Sequence, residues 1–350
     1  MAQGSDDRPR DTGGTDALPQ SVAYSINDND EAVGYSETSV PDPQNTCGDS
    51  LVCLPVLWRD KAITALPTLG GTDGSASAIN NRGQVVGIAE TGEIDPTCQT
   101  PVIKPTVWEK GEPRALPTAP FLNGIVGGGP GPGGNNERGQ VVGIANTCDF
   151  SAVRPLIWEK NKIIDMGNIG ATPAPISINN KVQVGGTYPD PVTAVNRAFF
   201  WQDGVATDLG TLPGDVTAEA GAINDRGQIV GQSCSTTSCA VFLWQDGVML
   251  DLNAAVPADS SVFMFAATGI NSRGQIVGWA VQKSTGLLRA FLATPCGEGE
   301  SGEEGCQNSA QSKSPAQPDT SERPTIILPE IVRQPLGSRY HIPGLHSLSR

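Results

Sequence analysis

The chain has 350 residues but only two histidines, His341 and His346, and both fall near its C-terminal end. Histidine is the usual proton shuttle near neutrality and the commonest metal ligand, so neither a Ser-His-Asp triad nor a His-bound metal is expected in the body. Positive charge is also short: 23 Lys and Arg face 37 Asp and Glu, a formal net charge of −14. Such a chain lacks the cationic face that nucleic acid or an anionic membrane surface requires, so neither is an expected partner. No apolar run approaches the ~20 residues of a membrane helix, and no segment repeats apolar residues at helical spacing. The opening "MAQGSDDRPRDTGG" has no apolar core of a secretory signal, so an exported form would need a leader already removed or an unusual route. The eight cysteines contain no CxxC pair, and "GGGPGPGG" at 127–134 is followed by neither Lys-Ser/Thr nor a helix pattern. No metal and no cofactor is therefore expected.

What is present is β-forming and loop-rich, with 42 Gly, 28 Pro and apolar residues dominated by Val, Ile, Ala and Leu. Three cysteine couples are close in sequence: Cys47 with Cys53, Cys234 with Cys239, and Cys296 with Cys306. Cys98 and Cys148 remain. Without zinc spacing, disulfides are the favoured reading, which implies an oxidising compartment, extracellular or periplasmic.

The chain also writes one line six times. "SINDNDEAVG", "AINNRGQVVG", "NNERGQVVG", "SINNKVQVGG", "AINDRGQIVG" and "GINSRGQIVG" align on Asn27, Asn80, Asn136, Asn179, Asn224 and Asn271, with separations of 53, 56, 43, 45 and 47. That period suits a four-stranded propeller blade. Strand A ends at the Asn, and Gly83, Gly139, Gly227 and Gly274 supply the left-handed turn position, with Asp30 and Val182 departing from the pattern. Strand B is the "QVVGIA" type. Strand C ends at Trp58, Trp108, Trp158, Trp201 and Trp244, and a second tight turn leads to strand D.

One such sheet cannot bury both faces, so the copies must stack around an axis. The sixth copy stops after "RAFLATP", while residues 16–19, "DALP", resemble a strand D with no blade before it. The expected fold is an all-β, six-bladed β-propeller of four-stranded antiparallel blades over 16–296, closed by the N-terminal strand joining the last blade. An open solenoid would leave two bare sheet edges. Residues 1–15 are expected to be flexible, and 297–350, polar and aperiodic, a disordered tail.

The Ala-Ile-Asn-x-Arg-Gly-Gln-Val-Val-Gly line, "RAFFW" at 197–201, "DLGTLPG" at 208–214 and "RAFL" at 289–292 resemble the bacterial extracellular HAF repeat family over residues 17–295. The resemblance implies an extracellular repeat protein of poorly defined function and brings no catalytic residues.

Candidate sites follow from the repeat. Arg82, Arg138, Lys181, Arg226 and Arg273 precede the turn position in copies two to six; with strand A innermost they would ring the axial mouth and could hold an acidic glycan. The same residues could instead clamp the neighbouring blade. Asp42, Asp49, Glu90, Glu93, Asp95, Asp149 and Asp190 fall in B-to-C loops, which share one face, and a pair such as Asp49, Glu93, Asp95 or Asp149 would be the acid and base of a glycoside hydrolase or lyase. "GDSL" at 48–51 matches a lipase nucleophile block, but it lies between two cysteines in a Pro-rich loop, the wrong context for that chemistry. The favoured expectation is a secreted, non-catalytic binding or scaffold module for a glycan or another extracellular protein, the alternative a carbohydrate-active enzyme.

Overall fold

The computed structural model describes residues 20–42 and 51–295, except 119, 122, 127–133, 161, 171 and 258. Blade 1 holds β1 (Ser21–Ile26), β2 (Ala32–Pro41), β3 (Leu51–Arg59) and β4 (Ala62–Ala65); blade 2 holds β5 (Gly74–Ile79), β6 (Val85–Ile94), β7 (Pro101–Glu109) and β8 (Glu112–Ala115). Blade 3 is β9 (Asn123–Val126), β10 (Val141–Asn146), β11 (Val153–Glu159) and β12 (Lys162–Asp165); blade 4 is β13 (Ala174–Ile178), β14 (Val184–Pro189), β15 (Asn196–Gln202) and β16 (Val205–Asp208). Blade 5 is β17 (Thr217–Ile223), β18 (Ile229–Cys234), β19 (Cys239–Gln245) and β20 (Val248–Asp251), and blade 6 is β21 (Val262–Ile270), β22 (Ile276–Gln282) and β23 (Leu288–Ala293). Each sheet is antiparallel in sequence order, four-stranded in blades 1 to 5 and three-stranded in blade 6 among the described residues. A single short 3-10 turn, Leu252–Ala255, is the only helical element among them. The protein is an all-β, six-bladed propeller.

The turns form as their residues dictate. Gly83, Gly139, Gly227 and Gly274 have φ between 72° and 84°. Asp30 (φ 60°) and Val182 (φ 63°) adopt the same left-handed conformation, so the two departures in sequence are not departures in shape. A β-branched residue there is strained, and Val182 is held by packing against the apolar layer between blades 3 and 4.

The Gly of the "VVG" line has a different reason to be small. Strand A bulges in blades 1, 2, 4, 5 and 6. A Cβ on Gly34, Gly87, Gly186, Gly231 or Gly278 would run into the strand-A carbonyl oxygen of Val22, Ser75, Ala174, Glu219 or Ala266. The bulge brings backbone to backbone, and only hydrogen fits between.

The cores lie between blades, as expected. Val33 and Leu66 of blade 1 meet Ile79, Val85 and Trp108 of blade 2; Val142, Ile157 and Met166 of blade 3 meet Ile178, Val184 and Trp201 of blade 4. Each fully buried Val or Ile contributes about 2 kcal/mol. The tryptophans also reach backwards: Trp108 Nε1 donates to Pro67 O at 2.7 Å, Trp158 Nε1 to Pro117 O at 2.8 Å and Trp201 Nε1 to Met166 O at 3.0 Å. Each carbonyl follows strand D of the preceding blade.

Residues 16–19, expected to complete blade 6, and the segments 1–15 and 297–350 lie outside the described residues.

Candidate functional site

In an antiparallel A-B-C-D blade the A-to-B and C-to-D turns share one end, and the B-to-C and D-to-A loops share the other. The first end is built around the repeated Asn. Asn80 Oδ1 accepts from the backbone N–H of Arg82 and of Gln84, both at 3.1 Å, while Nδ2 donates to Asn136 O of the next blade at 2.9 Å. The step recurs from Asn27 to Asn80 O, Asn136 to Asn179 O, Asn179 to Asn224 O and Asn224 to Asn271 O. One side chain thus closes its own turn and bonds the next blade's turn. A second row runs beside it: Asn81 N donates to Glu137, Glu137 N to Asn180 Oδ1 and Asn180 N to Asp225 Oδ1.

The five cations sit on these turns and all are exposed. Arg138 Nη1 donates to Asn180 O at 3.2 Å. The Arg82 guanidinium lies over Gly139, where an added Cβ would be 2.8 Å from Nη2, and Arg226 lies over Gly274 in the same way. Three of the five side chains therefore reach along the next blade's turn. Asp28, Asp30, Glu137 and Asp225 occupy the same turns, which leaves the ring only a small positive excess.

At the opposite end, the described candidates Asp95 and Asp149 are each tied into their own loop. Asp49 lies outside the described residues, and Glu93 is exposed. Asp95 is buried and accepts from its own loop, Thr97 N at 2.8 Å and Cys98 N at 3.2 Å. Asp149 accepts from Thr147 Oγ1 at 2.7 Å and Ser151 N at 3.0 Å. These bonds, led by the Thr147 hydroxyl, pull its pKa down to about 2. Asp190 is lowered likewise, chiefly by the backbone of Thr193 and Val192. Carboxylates used this way are turn formers.

Cys98 and Cys148 are disulfide-bonded and join the loops of blades 2 and 3. Cys234 bonds Cys239 across the blade 5 hairpin. Cys53 is disulfide-bonded too, whereas Cys47, Cys296 and Cys306 lie outside the described residues. Asp95, Cys98 and Cys148 place one potential ligand atom each within 4.8 Å of the others. A metal takes thiolates, and these two sulfurs are bonded to each other.

One carboxylate cluster was not legible. Asp73, in the loop leading to β5, accepts from Cys53 N of blade 1 at 2.9 Å and from Thr72 Oγ1 at 2.6 Å; Glu90 Oε2 accepts from Thr72 N at 3.1 Å and Asp73 N at 3.2 Å. Burial, with Glu90 and Asp42 adding like charge, raises the Asp73 pKa, although its hydrogen bonds to Thr72 and Cys53 oppose the rise. Both carboxylates are buried beneath the surface, where they latch blade 2 to blade 1. Asn123 repeats the Asp73 bond one blade later, accepting from Ile103 N at 3.1 Å. An acid and an amide in equivalent places argue for a structural duty.

The B-to-C end also carries exposed apolar residues. Blades 1 and 2 have the longest B strands, ten residues each. Val40 and Ile94 on these strands, and Val192 on the blade 4 loop, are exposed.

No family model matches the chain, and no curated protein does either. Among solved structures, it is similar to the β-propeller domain of the Trilobed protease from Pyrococcus furiosus, described as having an open velcro topology, at 10% identity and TM-score 0.38 over 77% of this chain and 92% of that one. It is similar to the acylaminoacyl peptidase of Pyrococcus horikoshii at 13% identity and TM-score 0.40, over 77% of this chain and half of the peptidase. A gluconolactonase of Xanthomonas campestris, XC5397, gives 12% identity and TM-score 0.38 over 76% and 90%. No helix among the described residues is long and apolar enough to cross a membrane.

Proposed function

We propose that the protein is a secreted, non-catalytic binding or scaffold module of the HAF-repeat type, whose partner is a glycan or a cell-surface protein. The observation that carries this reading is the B-to-C face, where loops stiffened by disulfides and Asp-closed turns present Val40, Ile94 and Val192 to solvent. Rigid loops with apolar tips on a repeated scaffold are what a recognition surface requires. The carboxylates of that face speak for binding over hydrolysis. Asp149 is held ionised, which rules it out as the proton donor of a hydrolase, and Asp95 accepts hydrogen bonds from its own loop. The disulfides fit an oxidising, extracytoplasmic setting.

The test is a panel of acidic and neutral oligosaccharides and purified surface proteins, read both for saturable binding and for released product. Saturable binding without product, weakened by Val40→Asp together with Ile94→Asp, is the expected result. Product release abolished by Asp49→Asn or Asp95→Asn would establish the carbohydrate-active enzyme instead. Loss of acidic-glycan binding on Arg226→Ala with Arg273→Ala would move the site to the axial mouth.

A further inference from the structure

Among the described residues, five of the six turns are latched to a following blade, and the sixth is not. Val277 and Trp279 on the outer side of β22 are 45% and 46% exposed, and Ile26 at the end of β1 is 65% exposed. The equivalents of Val277 and Ile26 are buried: Val33, Val86, Val142 and Val230 match Val277, while Ile79, Ile178, Ile223 and Ile270 match Ile26. The Asn row stops at the same place. Asn271 Nδ2 donates to Gln275 within its own turn, and the link to Asn27 O that would continue the row is not among those made.

The charges at the two ends are complementary, and the rule that predicts it comes from the other interfaces. Arg82 lies over Gly139 and Arg226 over Gly274, so at two of the five interfaces the arginine of one turn covers the left-handed residue of the next. Applied to the last turn, the rule places Arg273 over position 30. That residue is Asp30, with φ 60°, in a position where four other blades have Gly. Its Cβ leaves the backbone in the direction along which Arg82 and Arg226 approach their glycines. The sequence also repeats Ala65-Leu66-Pro67 and Ala115-Leu116-Pro117, whose Pro carbonyls receive Trp108 and Trp158, as Ala17-Leu18-Pro19.

We propose that the outer face of blade 6 seats on the exposed face of blade 1 of the same chain, and that an Arg273–Asp30 ion pair locks this seam. The contact reuses the geometry of the five established interfaces: Val277 and Trp279 cover Ile26, and Asn271 reaches Asn27 O. The pair is specific to this seam, because the other turns carry Gly or Val where Asp30 stands. Joining two ends of one chain is unimolecular, which favours it over pairing between copies.

The experiment compares Arg273→Asp, Asp30→Arg and the double reversal in thermal unfolding across a wide range of protein concentration, with iodide quenching of Trp279 and sedimentation of each variant. Asp30→Gly is included because Gly occupies that turn in four blades and is compatible with the fold. Each single reversal is expected to lower the melting temperature by about 2–4 °C, and the double reversal to restore it. The melting temperature should not depend on concentration, and Trp279 should be shielded in the wild type. In the Asp30→Gly background, Arg273→Asp should lose its effect. Additive losses in the double reversal would overturn the ion pair. A Trp279 open to iodide, or head-to-tail oligomers with concentration-dependent melting, would overturn closure within the chain.

Discussion

The repeated Asn and the strand-B Gly carry more of this structure than the more conspicuous Arg and Trp. Asn136 receives Arg138 N and Gln140 N on Oδ1, each at 3.0 Å, and sends Nδ2 to Gln140 and to Asn179 O. Asn136→Ala leaves several buried groups unpaired, and an urea titration is expected to show a loss of about 3 kcal/mol. Gly231→Ala drives a methyl into Glu219 O and the Phe242 ring. Overpacking against backbone cannot be relieved by a rotamer change, so a comparable loss of about 3 kcal/mol should appear in the same titration. The Asn was visible in sequence as the alignment point, but its bond to a carbonyl about fifty residues away was not. Nor was the reason for the Gly, since a strand-A bulge leaves no mark in composition.

At the scale of the element, the hairpins divide into two kinds. The A-to-B and C-to-D turns are short and repeat, so their residues could be placed from sequence: Asp203-Gly204 and Asp246-Gly247 both have positive φ at each position, as a tight hairpin of this type requires. The B-to-C loops differ in length and composition from blade to blade, so nothing repeated indicated which carboxylates met. Cys98 and Cys148, left over from the close couples in sequence, lie in loops of adjacent blades, and the structure joins them. This bond closes a span of 50 residues, worth about 4 kcal/mol in chain entropy. Replacing both cysteines with Ser should lower stability by about 2–4 kcal/mol in chemical unfolding, and an unchanged midpoint would contradict this. Asp149 gives the pH dependence. Its folded pKa of about 2 lies below the ordinary 3.8, so its contribution is complete above the ordinary value and is lost as pH falls through about 2. Its carboxyl carbon, followed by NMR, should titrate near 2; a midpoint at the ordinary value would show that the loop bonds to Thr147 and Ser151 are not made in solution.

For the whole molecule, the separations of Asn27, Asn80, Asn136, Asn179, Asn224 and Asn271 were enough to count the blades, because each unit must bury its faces against the next. The carboxylate pair of the alternative, enzymatic reading was a weaker inference, since loop acids serve turns as often as chemistry. Asp95 and Asp149 each accept hydrogen bonds from the backbone of their own loops. The buried Asp73 and Glu90 latch went unseen because it joins strand and loop of different blades. The account therefore stands on lateral bonding: every blade is fastened to its neighbour by an Asn side chain, and the first and last blades are fastened in the same manner. Hydrogen exchange of the Asn side-chain amides, resolved by NMR, reads this directly. The account predicts slow exchange at Asn27, Asn80, Asn136, Asn179 and Asn224, joined by Asn271 through the closed seam. Fast exchange throughout this set would contradict the fastened ring.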